Sequence, residues 1–113
     1  MSIINKFHFA YKGLAYVLHH ELSFKIQIII AVIVLFAAYL REFSALKWIL
    51  LLLTISLVLG AELFNTAIEK ILDLNEPKLS RHVELLKDIS ASAVLLVGVV
   101  AAVVGIILFT TNF

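Results

Sequence analysis

Residues Ile89 to Phe113 read ISASAVLLVGVVAAVVGIILFTTNF, an uncharged run that decides which solvent the chain folds in. Crossing ~30 Å of hydrocarbon takes roughly 20 helical residues, so this stretch can span a bilayer unaided. Two other uncharged stretches, Ile26 to Leu40 and Trp48 to Ala61, are too short alone. They reach spanning length when Leu22 to Lys25 joins the first, and when the second starts near Leu46 and continues through Glu62, Asn65 and Glu69. The expected fold is an all-α membrane protein, one domain over 1–113, with spans at about 22–41, 46–72 and 88–110.

Composition agrees. Hydrophobic residues make up 63% of the chain and the mean hydropathy is +1.10, beyond the range of a soluble domain. A soluble helical bundle would leave the third stretch uncovered. Residues Met1 to Lys25 hold Lys6, His8, Lys12, His19, His20 and Lys25 without a separate apolar block, unlike a cleaved signal peptide. A net charge of +1 argues against a polyanionic partner such as nucleic acid. The absence of cysteine excludes disulfides and thiolate metal sites.

Ahead of the first span, Ile3, Phe7, Ala10, Leu14 and Val17 recur every three or four residues with Lys6 and Lys12 between them. This pattern predicts an amphipathic helix over about 3–20 on the membrane surface. A helix stacked on the bundle with no further role is the plainer reading. The short connection Arg41 to Lys47 makes the first two spans an antiparallel hairpin, and Asn75, Glu76 and Pro77 break the second helix. With the N-terminus in the cytoplasm, Lys6, Lys12, Lys25, Lys70, Lys78, Arg81 and Lys87 lie inside, against Arg41 and Lys47 outside. That asymmetry follows the positive-inside rule.

Glu62, Asn65, Thr66, Glu69 and Asp73 share one face of the second span, because they follow at steps of three or four. An acid at the centre of a spanning helix costs about 2.5 to 3.5 kcal/mol, so a polar stripe there reads by default as a functional site. Glu21, before the first span, and Lys87 with Asp88, before the third, fall at the same edge of the membrane. Singly, each has a plain reading as a dipole partner or an interface marker. Together they meet the needs of phosphoryl transfer: carboxylates for a divalent cation, a cation for phosphate oxygens, and a base for the attacking hydroxyl. Glu21 and Glu69 suit magnesium, Lys87 suits phosphate, and Glu62 suits the hydroxyl proton. On this chemistry alone a carboxylate-bearing proton or ion transporter fits almost as well. No GxxxxGK[ST] or GxGxxG loop occurs, so a soluble nucleotide-binding fold is absent.

The segment AELFNTAIEKILD, Ala61 to Asp73, closely resembles the E-x-x-N-[ST]-A-I-E signature of the prokaryotic diacylglycerol kinase family. KDISASAV, Lys87 to Val94, resembles that family's second block, AYKGL (Ala10 to Leu14) its surface-helix segment, and HELSFKIQ places Glu21 where the family carries a metal-binding Glu. The likeness covers essentially the whole chain, and the first block is the most specific part of it. The resemblance implies a homotrimeric three-span lipid kinase of the bacterial inner membrane. Its active sites are shared between subunits at the cytoplasmic face, and it uses ATP and Mg2+. It implies Glu62 as catalytic base, Asn65 as its neighbour, Glu21 and Glu69 as metal and nucleotide ligands, and Lys87 and Asp88 as nucleotide contacts. Lys78, Ser80 and Phe9 are added as nucleotide candidates, and Lys12 and Lys25 join Glu62 as lipid candidates. The family's N-terminal arginine is missing, Ser2 or Asn5 standing in that region, as is its tyrosine-histidine pair in the loop Glu76 to Leu86. Diacylglycerol is the first substrate expected and undecaprenol the alternative; Gln27 matches neither group's habit of Glu or His.

Several residues take ordinary readings. His19 and His20 point about 100° apart and do not readily serve one ion. Ala91, Ser92, Ala93, Gly98 and Gly105 suit close helix packing. Tyr39 and Trp48 are interfacial aromatics, and Asp73 is a solvated helix end or a support for Glu69. A proton-coupled transporter carrying its proton on Glu62, or a non-catalytic membrane subunit, are the readings from other classes.

Overall fold

A computed structural model describes residues 2–75 and 80–113. Among these residues the chain forms α1 (Ile3–His20), α2 (Leu22–Leu40), α3 (Ala45–Asn75) and α4 (Arg81–Thr110). Ser2 starts α1 by accepting the Asn5 amide on its hydroxyl at 3.2 Å. Helix α1 places only Val17 in the buried interior, and its apolar side chains Ile3, Phe7 and Leu14 are exposed. Glu21, extended at φ −111° and ψ 112°, separates α1 from α2.

Stretches of α2, α3 and α4 are each long and apolar enough to cross a membrane: Leu22–Leu40, Ala45–Leu74 and Arg81–Thr110. With 31 residues, α3 extends roughly 46 Å, beyond the ~30 Å hydrocarbon layer. Helix α4 starts at Arg81, ahead of its apolar run, because Ser80 accepts the Val83 amide at 3.2 Å and Glu84 lies in the positive first turn.

The turn between α2 and α3 closes α2 with a Schellman motif. The Phe43 amide donates to Ala38 and the Glu42 amide to Tyr39, with Glu42 left-handed at φ 53°. Phe43 then folds back on Ala38, and with Leu51 and Leu108 these residues form the main buried cluster. Helix α4 packs chiefly on α3, and α2 on α3.

The last turn of α4 is tied to the same turn by side chains. Lys47, only 8% exposed, donates from Nζ to the carbonyl of Leu108 at 2.7 Å and to that of Thr111. Arg41 Nη2 donates to the Phe109 carbonyl at 3.0 Å and Ser44 Oγ to that of Phe113 at 3.1 Å. A helix C-terminus leaves carbonyls without intrahelical partners and carries partial negative charge, so cations settle there. The rings of Phe43 and Phe113, 5.0 and 5.1 Å from Lys47 Nζ, take the place of water around the ammonium.

Candidate active site

Part of the polar stripe of α3 is buried, whereas Glu69 is half-buried and Asp73, at its end, is exposed. Glu62, Asn65 and Thr66 are 6%, 9% and 6% exposed. Glu62 is held from α2: Ser23 Oγ donates to Oε1 at 2.5 Å, and Gln27 Nε2 approaches Oε2 at 3.4 Å, a long and weaker contact. Ser23 and Gln27 are four residues apart and share a helix face, so α2 presents two donors to one carboxylate. These hydrogen bonds offset part of the cost of burying it.

A carboxylate accepts only, so Gln27 must turn its amide nitrogen towards Glu62. Its Oε1 is thereby left buried without a partner. Asn65 behaves in the same way: Nδ2 donates to Glu69 Oε1 at 2.7 Å, and Oδ1 is left buried and unpaired. Buried acceptors without protein donors are uncommon, and both oxygens remain able to accept from a further group. Gln27 also stands among the residues of an apolar groove of about 690 Å3 between α2, α3 and α4, with Val34, Leu59, Gly98 and Ala102 among its walls.

The other expected residues are distributed as follows. Glu21 pairs with Lys70, Nζ to Oε1 at 3.4 Å. Lys87 donates to Asp73 Oδ1 at 2.6 Å, which ties the start of α4 to the end of α3. Asp88 and Lys25 are exposed, Lys12 Nζ lies 5.9 Å from the ring centre of the exposed Phe9, and the Ser80 hydroxyl caps α4. Lys78 lies outside the described residues. Sequence reasoning did not anticipate Ser23, Gln27 or Lys70 as partners of the acids.

Among the described residues no three His, Asp or Glu side chains gather as a ready metal cage. Magnesium rarely needs one, being held by one or two carboxylates plus substrate phosphates and water. Glu69 and Asn65, joined by their hydrogen bond, and separately Glu21 offer oxygen donors of the hard kind that such an ion takes.

A helical membrane protein with a buried, hydrogen-bonded carboxylate beside an apolar groove is thus the class that fold and site define. Residues 8–109 match the family model for prokaryotic diacylglycerol kinase, and the chain belongs to that family. It is 35% identical over 106 residues to the diacylglycerol kinase of Synechocystis sp., covering 92% of this chain and 60% of that one. It is 33% identical over 89 residues to the undecaprenol kinase of Bacillus subtilis, covering 79% of this chain and 72% of that one. The chain therefore spans less than two thirds of the cyanobacterial relative and more than two thirds of the Bacillus one.

Proposed function

We propose that the chain is an ATP-dependent lipid kinase that phosphorylates the hydroxyl of a membrane lipid, diacylglycerol first and undecaprenol as the alternative. The observation that carries this reading is the Glu62 carboxylate, buried in α3 and held by Ser23 and Gln27 beside an apolar groove. Family membership supports the reaction class, and the two kinases of related sequence act by name on these two lipids.

Glu62 takes the proton of the lipid hydroxyl, whose oxygen forms the new bond to the γ-phosphorus as the bond to the ADP oxygen breaks. Gln27 Oε1 accepts from the hydroxyl on entry, and the same single hydrogen then turns to Glu62, whose carboxylate Ser23 fixes for the transfer. Lys87 leaves Asp73 to pair with phosphate oxygens, and Asp88 lies beside it in sequence. Glu21 and Glu69, with Asn65 Oδ1, would hold Mg2+, which when bound neutralises charge on the phosphates.

The surface helix is read as lying on the cytoplasmic face; Lys12 and Lys25 are the lipid contacts of this reading and Phe9 and Ser80 its further nucleotide contacts, with Lys78 a nucleotide candidate outside the described residues. A homotrimer in the bacterial inner membrane, with sites completed by neighbours, accords with how little the spans bury within one chain, 17%, 17% and 6% of their apolar windows.

The test is phosphate transfer from labelled ATP, with magnesium, to diacylglycerol and to undecaprenol presented separately in mixed micelles, with Glu62→Gln as control. Transfer that disappears in the control while nucleotide binding persists establishes the kinase and its substrate. No transfer to either lipid rejects it and returns Glu62 to the role of proton carrier, to be measured as flux in proteoliposomes.

A further inference from the structure

Lys70 belongs to none of the expected site roles, yet it holds one of the site's carboxylates. Its Nζ lies 3.4 Å from Glu21 Oε1 and 5.8 Å from the centre of the Tyr16 ring. Three elements meet at that ammonium: Tyr16 from α1, Glu21 from the junction of α1 and α2, and Lys70 from α3. Lys70 also borders a cleft of about 410 Å3 between α1 and α3, together with Gly13, Tyr16 and the buried Thr66. In the chain it directly follows Glu69.

We propose that Lys70 is an internal counter-ion that occupies Glu21 in the nucleotide-free protein and yields that carboxylate to the divalent cation when the nucleotide binds. This rests on the kinase reading above. A lysine ammonium is a compact point charge on a long flexible stem. Lys70 is half exposed, at 51% of its side chain, so it leaves Glu21 without opening a packed core. A second cation at the same carboxylate meets like-charge repulsion, so ion and ammonium compete for it. The phosphates arriving with the ion resolve the competition by offering the released ammonium new oxygens.

Metal and nucleotide therefore bind cooperatively. Each raises the affinity of the other by the same factor, as linkage requires, and Lys70 is the source of part of that coupling. Without nucleotide, the Tyr16 ring helps hold the ammonium at Glu21 and keeps the carboxylate from stray divalent ions.

The test uses the full chain in detergent micelles and Mn2+ as probe, its free concentration read by electron paramagnetic resonance, with and without a non-hydrolysable ATP analogue. Lys70→Met should bind Mn2+ without nucleotide about two- to fivefold more tightly, the scale of an exposed ion pair, and should lose much of the coupling to the analogue. Lys70→Arg, keeping the charge, should stay near the parent protein, and adding Glu21→Gln to Lys70→Met should erase the gain. Mn2+ affinity unchanged or weaker in Lys70→Met overturns the proposal, as does the absence of Mn2+ binding in both proteins. A parent chain that neither binds the analogue nor transfers phosphate overturns the kinase reading instead. Phosphate transfer by the parent chain, with unaltered Mn2+ affinity in Lys70→Met, leaves that reading standing and overturns this proposal alone.

Discussion

Ser23 on α2 donates its hydroxyl proton to Glu62 on α3 at 2.5 Å, so the acid of one spanning helix is oriented by its neighbour. Replacing Ser23 by Ala leaves Glu62 with only the 3.4 Å approach of Gln27. A hydrogen bond to a charged group contributes about 1.5 to 3 kcal/mol. Turnover of Ser23→Ala should fall about tenfold or more with nucleotide affinity kept, and Ser23→Thr should recover most of it. Steady-state kinetics in mixed micelles check this; full turnover in the alanine variant would remove Ser23 from the mechanism.

Glu21→Gln and Glu69→Gln should each raise the magnesium concentration needed for half-maximal transfer, on the order of tenfold, since even supporting residues of metal sites carry effects of that size. Magnesium titrations at saturating ATP measure it. An unchanged requirement in both variants would dismiss the two acids as ligands.

Lys47→Met should lower stability by about 1 to 3 kcal/mol while leaving the Michaelis constants for ATP and lipid near their parent values. The variant keeps the apolar stem but strips the Leu108 and Thr111 carbonyls of their charged donor. Thermal unfolding in detergent beside the kinetic assay separates the two effects.

Glu42→Gly should instead raise stability, by up to about 1 kcal/mol, because a left-handed backbone is costly for a residue with a Cβ and ordinary for glycine. The φ of 53° at Glu42 is the source of the expectation. A lowered midpoint in the same unfolding experiment would show that the Glu42 side chain matters more than its backbone.

The helices were legible in the sequence because uncharged runs and a polar stripe are properties of one helix at a time. Glu62, Asn65 and Glu69 share a face by spacing alone, whichever helix they meet. What joins helices was not legible. Ser23 and Gln27 become partners of Glu62 only through the rotation of α2 about its axis, which spacing within α2 leaves free. Lys47 illustrates the same limit: as one of two basic residues at the connection between the first two spans it counts as an outside charge, whereas packing buries it against the end of α4. Lys70 counted towards topology until the bend at Glu21 brought a carboxylate to it.

The buried Oε1 of Gln27 has a consequence for selectivity. Whatever enters from the groove must bring a donor of its own or leave that oxygen dry, and a site built around an unmet acceptor rejects a molecule lacking the matching donor far more strongly than it weighs a few methylenes. On the kinase reading, ethers and acylated alcohols should therefore inhibit less well than free alcohols of the same length, the missing donor outweighing a change of a methylene or two in the tail.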